Sequence, residues 1–214
     1  MRKKLLTLLA LVWLCSAVLA PSVRTGLAAQ TPASPSPTPA LNDCIGDPDA
    51  PIVFEVFSDF QCPACRQFYL GTIQPLLSEY VSTGTVCLIY RDLPLRTHEH
   101  SRQAALYAGA ADRIGQWLRV AETLYVLQDQ WAKDGNVEAV VMRRLPQKAQ
   151  SQLRRALKDP KLARAIDRDV QRARRLGIRS TPTSLLTANG QTQRITGVVQ
   201  YAILKRYLDH LLGK

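Results

Sequence analysis

From Pro51 to Phe60 the apolar positions run almost without a break: Ile52, Val53, Phe54, Val56 and Phe57 are β-branched or aromatic. A run of this kind predicts a strand buried on both faces of a sheet. The period then changes. Phe68/Tyr69, Ile73, Leu76/Leu77 and Tyr80 recur at three- and four-residue steps, the spacing of an amphipathic helix. Pro63 falls at the first helical position, where its missing N–H costs nothing, and Pro75 lies inside the helix and predicts a kink. Gly84 follows, and Thr85–Tyr90 (TVCLIY) reads as the next strand. Strand, helix and strand in about forty residues make a βαβ unit with parallel strands.

From His98 to Leu176 the pattern is helical, with no strand-like run. Gly115, Gly135-Asn136, Pro146 and Asp159-Pro160 punctuate it into four or five helices. Trp117 and Trp131 sit at apolar helical positions and read as core. His98 and His100 read as capping or surface residues.

The first forty residues follow a different logic. Arg2-Lys3-Lys4 precedes the apolar run Leu5–Ala20, and small residues follow at Gly26–Ala29. Residues 1–29 therefore read as an export signal, or as an uncleaved N-terminal membrane anchor. Cys15 lies inside the apolar run, without the small residues that precede a lipid-modified cysteine. Residues 30–43 include TPASPSPTPA, four prolines with no charge, which cannot bury a core and read as a tether. The folded domain is expected over 44–214, outside the cytoplasm: in a periplasm or cell envelope, free after cleavage or held by the anchor.

The chain has 214 residues, 46% hydrophobic and 21% charged, which suits one globular domain with extensions. Collagen-like, wholly disordered and multi-pass membrane classes are excluded. The net charge is +11. It concentrates between Met142 and Arg179, where thirteen bases face three acids. These bases are not interleaved with aromatics, and an exported protein rarely meets nucleic acid, so the stretch reads as a solvated helical face. Attraction to an anionic membrane surface is the lesser alternative.

Of the five cysteines, four lie beyond the export segment. Cys62-Pro63-Ala64-Cys65 is a C-x-x-C pair, which leaves Cys44 and Cys87 to pair with each other. A C-x-x-C can be half of a zinc site, a structural staple or a redox dithiol. No second C-x-x-C is present to complete a zinc site. The placement bears on the other two readings. Cys62 stands at the carboxyl end of a central strand and at a helix N-terminus, where unpaired N–H groups and the helix dipole favour a thiolate. Cys65 lies one turn further in, placed to resolve a mixed disulfide on Cys62.

With these residues in view, the chain resembles the DsbA-type thiol:disulfide oxidoreductases of the thioredoxin superfamily. The matching text is Gly46–Pro51, Phe57-Ser58-Asp59-Phe60-Gln61-Cys62-Pro63-Ala64-Cys65-Arg66, Arg91–Leu95, Leu176–Thr183 and Asn189-Gly190 with the strand and helix after it. These blocks span about 46 to 212, in family order. The resemblance implies an α/β thioredoxin-like fold with a helical insertion, about 98–176, between the second and third core strands. It implies Cys62 as nucleophile, Cys65 as resolving cysteine and Pro63-Ala64 as the active-site dipeptide. Pro182 would be a cis-proline packed against the cysteines, and the Thr181 backbone would pair with substrate. No metal, nucleotide or flavin cofactor is implied. The implied partners are cysteine-containing substrate proteins and a membrane redox partner, with no nucleic acid.

The chain departs from the family at Val56, where an acid often lies beneath the cysteines. Glu55 is one step away, on the other face of a strand, and reads either as a proton relay or as a structural surface residue. No histidine stands beside Cys62, which implies a weaker oxidant than the family's extreme. A reductase or isomerase of the same fold, or a binding domain with a structural disulfide, is the rival reading. Cys44–Cys87 reads as a structural bridge, with a second redox pair as the alternative.

Overall fold

A computed structural model of the chain describes residues 44–214. The readings for residues 1–43, the signal or anchor and most of the tether, lie outside the described residues. Five strands form one sheet in the order β1-β3-β2-β4-β5. The central strand β2 (Ile52–Ser58) is parallel to β3 (Val86–Asp92), as the βαβ pattern requires, and antiparallel to β4 (Thr183–Ala188). β5 (Gln191–Thr196) closes a hairpin with β4 through Asn189-Gly190, both at positive φ, the conformation of a tight two-residue hairpin turn. The short β1 (Cys44–Ile45) lies antiparallel on the outer edge of β3. Gly46 turns the chain out of β1 at φ +106°, and a Cβ there would stand 3.0 Å from the Val86 carbonyl oxygen.

The crossover between β2 and β3 is one continuous helical passage whose character changes along its length. It opens as α1 (Pro63–Phe68), widens into a π-helical stretch (Tyr69–Ile73), narrows to α2 (Gln74–Leu76) and widens again (Leu77–Val81). The Gln74 N–H reaches back five residues to the Tyr69 carbonyl, directly before Pro75. Widening is thus how the helix takes in a proline that has no N–H to give.

Between β3 and β4 come six helices: α3 (Ser101–Asp112), α4 (Trp117–Val126), α5 (Gln128–Trp131), α6 (Val137–Arg144), α7 (Gln147–Ala156) and α8 (Lys161–Arg175). The count exceeds the expected four or five because the backbone turns at Leu127 (φ −99°, ψ 20°), with no glycine or proline to mark the break. The last helix, α9 (Tyr201–Leu211), buries Leu204 and Leu208. The fold is α/β and thioredoxin-like, with the helical insertion where it was expected.

Strand alternation divides the core. Phe54 and Val56 of β2, Leu88 of β3 and the side chains of α1 and α3 share the main cluster with Cys65 and Trp131. Phe57, Leu93, Ala173, Ile178 and Leu185 form a smaller cluster on the opposite face, under α8. Trp131 is fully buried and Trp117 half-buried, as core positions.

Candidate active site

The sheet delivers Cys62 to a particular corner. After β2 the chain turns through Asp59-Phe60-Gln61, with the Cys62 N–H donating to the Asp59 carbonyl at 3.1 Å. Cys62 then occupies the N-cap of α1 in extended conformation, and Pro63 takes the first turn. Cys62 and Cys65 are both free thiols. Cys62 is 7% exposed and Cys65 not at all. The Thr181–Pro182 peptide bond is cis, and the Thr181 carbonyl oxygen lies 3.6 Å from the Cys62 Sγ. Cys62 and Thr181, 119 positions apart in the chain, therefore meet, with Cys65 one turn along the helix and the cis-proline Pro182 next to Thr181. Ala64 is half-buried against the main core.

The two sulfurs are electrostatically unlike. A hydrogen bond from the Cys65 thiol, helped by the N–H groups of Cys65 and Ala64, outweighs burial and lowers the Cys62 thiol to about 5. Burial pushes the Cys65 thiol up, and the neighbouring Cys62 thiolate pushes it further. At neutral pH the pair holds one proton and one negative charge, with the charge on the more exposed sulfur.

The turn that carries Cys62 is tied down by polar residues to which the sequence reading assigned no role. The buried Asp59 carboxylate accepts four hydrogen bonds: from Gln61 N (2.8 Å) and Ser101 Oγ (2.6 Å) on one oxygen, and from Leu95 N (2.8 Å) and His98 Nδ1 (2.8 Å) on the other. Gln61 donates to the Ala132 carbonyl (2.8 Å) and accepts from His100 N (2.8 Å). Gln128, at the start of α5, donates to the carbonyls of Phe60 (2.7 Å) and Cys62 (3.2 Å). Arg66 reaches Asp129 at 2.6 Å. In sequence Asp59, Gln61 and Arg66 stand only within the matched motif, His98 and His100 read as capping or surface residues, and no local pattern marks Ser101 or Gln128. His98 is thus an anchor for Asp59, and His100 is the N-cap residue of α3.

Both readings of Glu55 need correction. Glu55 is 2% exposed, so it is no surface residue. It points away from the cysteines, toward α8, where Arg91 Nε (2.8 Å) and Arg172 Nε (2.6 Å) both donate to its Oε1, and Arg172 also reaches its Oε2 at 2.8 Å. Arg172 belongs to the basic stretch, so that stretch is not wholly a solvated face. One of its bases turns inward because a buried carboxylate needs a partner.

Cys44 and Cys87 form a disulfide with their Cα atoms 5.5 Å apart. Cys44 precedes the first core strand, in the short edge strand β1 that lies antiparallel to β3. Alternation along β3 puts Cys87 on the face opposite Leu88 and the main core, away from Cys62 and Cys65.

Among the described residues no helix is long and apolar enough to cross a membrane.

The family profile described as thioredoxin matches residues 41–210. By sequence the chain is 27% identical over 153 residues to the probable disulfide bond formation protein D of Bacillus cereus, covering 68% of this chain and 69% of that protein. By fold it is similar to α-DsbA1 of Wolbachia pipientis, with a TM-score of 0.66 at 20% identity over 80% of this chain and 90% of that one. It is also similar to oxidised BdbD of Bacillus subtilis, with a TM-score of 0.65 at 20% identity over 84% and 98% of the two chains. The chain belongs to the thioredoxin family, as a DsbA-like thiol:disulfide oxidoreductase.

Proposed function

We propose that the chain is an exported disulfide donor that oxidises cysteine pairs in substrate proteins through Cys62 and Cys65. The observation that carries this reading is the asymmetry of the pair. One sulfur is held as a thiolate at a helix N-terminus beside the Thr181 carbonyl, and its neighbour is kept protonated by burial. A thiol of low pKa is a good leaving group, so a disulfide that contains it transfers readily to a less acidic thiol.

In the oxidised protein a substrate thiolate attacks Cys62 Sγ. A substrate–Cys62 bond forms, the Cys62–Cys65 bond breaks, and its electron pair leaves on Cys65. The substrate's second thiol gives its proton to Cys65 and attacks its own sulfur in the mixed disulfide. The Cys62 thiolate departs, leaving oxidised substrate and reduced enzyme. The open edge of Thr181, before the cis-proline, is the backbone on which an extended substrate segment would pair.

Residues 1–29 act as the export signal or anchor and 30–43 as the tether, so the domain works outside the cytoplasm, where a membrane partner re-oxidises it. Cys44–Cys87 serves as a structural staple. The position of its disulfide, across the sheet from Cys62, supports this over a redox relay.

The test is paired substitution. Cys62→Ser abolishes exchange with a reduced, unfolded cysteine-containing protein. Cys65→Ser lets Cys62 form mixed disulfides that accumulate, since no resolving thiol remains. Undiminished exchange in Cys62→Ser would overturn the assignment.

A further inference from the structure

Opening the Cys62–Cys65 disulfide places a negative charge on Cys65, a sulfur with no solvent exposure. A buried anion needs a donor. Glu55 could not handle the proton there, because it lies on the other face of the sheet between two guanidinium groups. Val56, on the cysteine side, is apolar.

Thr181 faces Cys65 from the cis-proline side, and behind Cys65, on the core side, stand three linked hydroxyls. Ser58, at the end of β2, faces Cys65 and favours its thiolate. Its Oγ lies 2.9 Å from the Tyr125 hydroxyl, which comes down from α4. Tyr125 in turn hydrogen-bonds the hydroxyl of Tyr90, the β3 residue in register with Val56. Ser58 and Tyr125 are buried within an otherwise apolar and aromatic core. The rings are fixed by stacking: Tyr125 lies 4.7 Å from Tyr69 and 5.0 Å from Phe60, and Tyr90 meets Trp117 edge-on at 5.0 Å. Three linked hydroxyls in an apolar core are costly unless every member is satisfied.

We infer that Ser58, Tyr125 and Tyr90 form a hydroxyl chain that stabilises the transient Cys65 thiolate during disulfide exchange. The inference rests on the reading of Cys62–Cys65 as the exchanging pair. When the substrate thiolate takes Cys62, the electron pair of the broken bond settles on Cys65. Ser58 turns its O–H toward that sulfur, Tyr125 its O–H toward Ser58, and Tyr90 its O–H toward Tyr125. Each hydroxyl has one proton and at least one free lone pair, so the chain can align without any proton leaving its oxygen. Burial holds both tyrosines far above their ordinary range, so they stay protonated donors while the charge is present. The groups that face Cys65 are Cys62 from α1, Ser58 from β2, Tyr90 from β3, Tyr125 from α4 and Thr181 before β4; no carboxylate is among them. These three are positioning residues, acting on Cys65 and not on substrate.

The chain acts on a transient anion and not on the resting dithiol, whose Cys65 is protonated. Its loss therefore slows exchange without moving the equilibrium. In the full protein, oxidised and mixed with glutathione, Ser58→Ala slows opening of Cys62–Cys65 by about tenfold to a hundredfold, the value of one hydrogen bond to a charged group. Reclosure from the glutathione mixed disulfide slows by the same factor. Tyr125→Phe, which keeps the ring stack, slows both steps by a smaller factor. Tyr69→Phe removes a buried tyrosine hydroxyl stacked on Tyr125 but outside the chain, and leaves both rates unchanged. In every variant the equilibrium potential and the pH midpoint for Cys62 alkylation stay where they were; a loosened site would move them. Unchanged rates in Ser58→Ala, or equal slowing by Tyr69→Phe, would overturn the inference while the exchange reading stands. If glutathione failed to open the pair in the unsubstituted protein, the exchange reading would fall and this inference with it.

Discussion

Two sulfurs three positions apart meet opposite fates because one faces the helix end and the other faces the core. Cys62 gains the Cys65 thiol and the N–H groups of its own first turn, and its pKa falls to about 5; Cys65 is pushed up by burial and by the Cys62 thiolate beside it. The alkylation rate of Cys62 in reduced protein should therefore be flat at neutral pH and fall about tenfold per unit below about 5. The same shift is a stability statement. Between about 5 and the ordinary thiol value near 9, the unfolded chain holds a proton on Cys62 that the native chain does not. Stability of the reduced protein relative to its oxidised form thus rises with pH across that window and is lost as pH falls through about 5, which paired thermal melts would read. At this scale the sequence was most informative about the chemistry itself. Cys62 and Cys65 were legible because a helix N-terminus can be read from Pro63 and the period change; Thr181 and Pro182 were legible only through the resemblance to DsbA-type proteins, since on its own Thr181-Pro182-Thr183 reads as a turn before a strand. Asp59, Gln128, Tyr90 and Tyr125 were not, since their partners come from elements 35 to 68 residues away and no local pattern encodes those contacts.

The β2–helix–β3 unit was legible because its apolar runs are continuous and local, and the parallel pairing follows from the connection. What escaped was geometry set by neighbours: the π-helical widening around Pro75, the break at Leu127, and the inward turn of Arg172. Two predictions belong to elements. The Cys44–Cys87 bridge closes a separation of 43 residues, pinning β1 to the outer edge of β3. Cys44→Ser should lower the unfolding free energy by about 2–4 kcal/mol in denaturant titrations, while the exchange rate stays at the level of the unsubstituted protein. Glu55 links β2, β3 and α8 through two arginines. Glu55→Gln should destabilise by about 3 kcal/mol, because Arg91 and Arg172 both lose the buried Glu55 carboxylate, although Asp169 still pairs with Arg91. The Cys62 alkylation profile should not move, since Glu55 lies on the far face; a shifted midpoint would restore Glu55 as a proton relay.

Over the whole domain, the insertion does more than cover the sheet. Through Gln128, Asp129 and Ala132 it holds the turn between β2 and α1 from outside, while Asp59 ties that turn to α3 and to the exit of β3. The Cys62 corner is thereby built from elements at both ends of the chain's long crossover, which fits a site whose two sulfurs must keep different environments. Gln128→Leu, which strips two hydrogen bonds from the turn, should cost about 1–3 kcal/mol and broaden the Cys62 pH profile. The central claim is that this asymmetry makes the pair a disulfide donor. Its most direct measurement is the equilibrium of Cys62–Cys65 with a glutathione buffer, read by acid quenching and alkylation. With Cys62 near 5, between the values of about 7 for thioredoxin and about 3.5 for the strongest oxidants, the potential should fall between about −120 and −180 mV. A potential near −270 mV would contradict the donor reading and point to a reductase, and a pair that never opened would contradict exchange altogether.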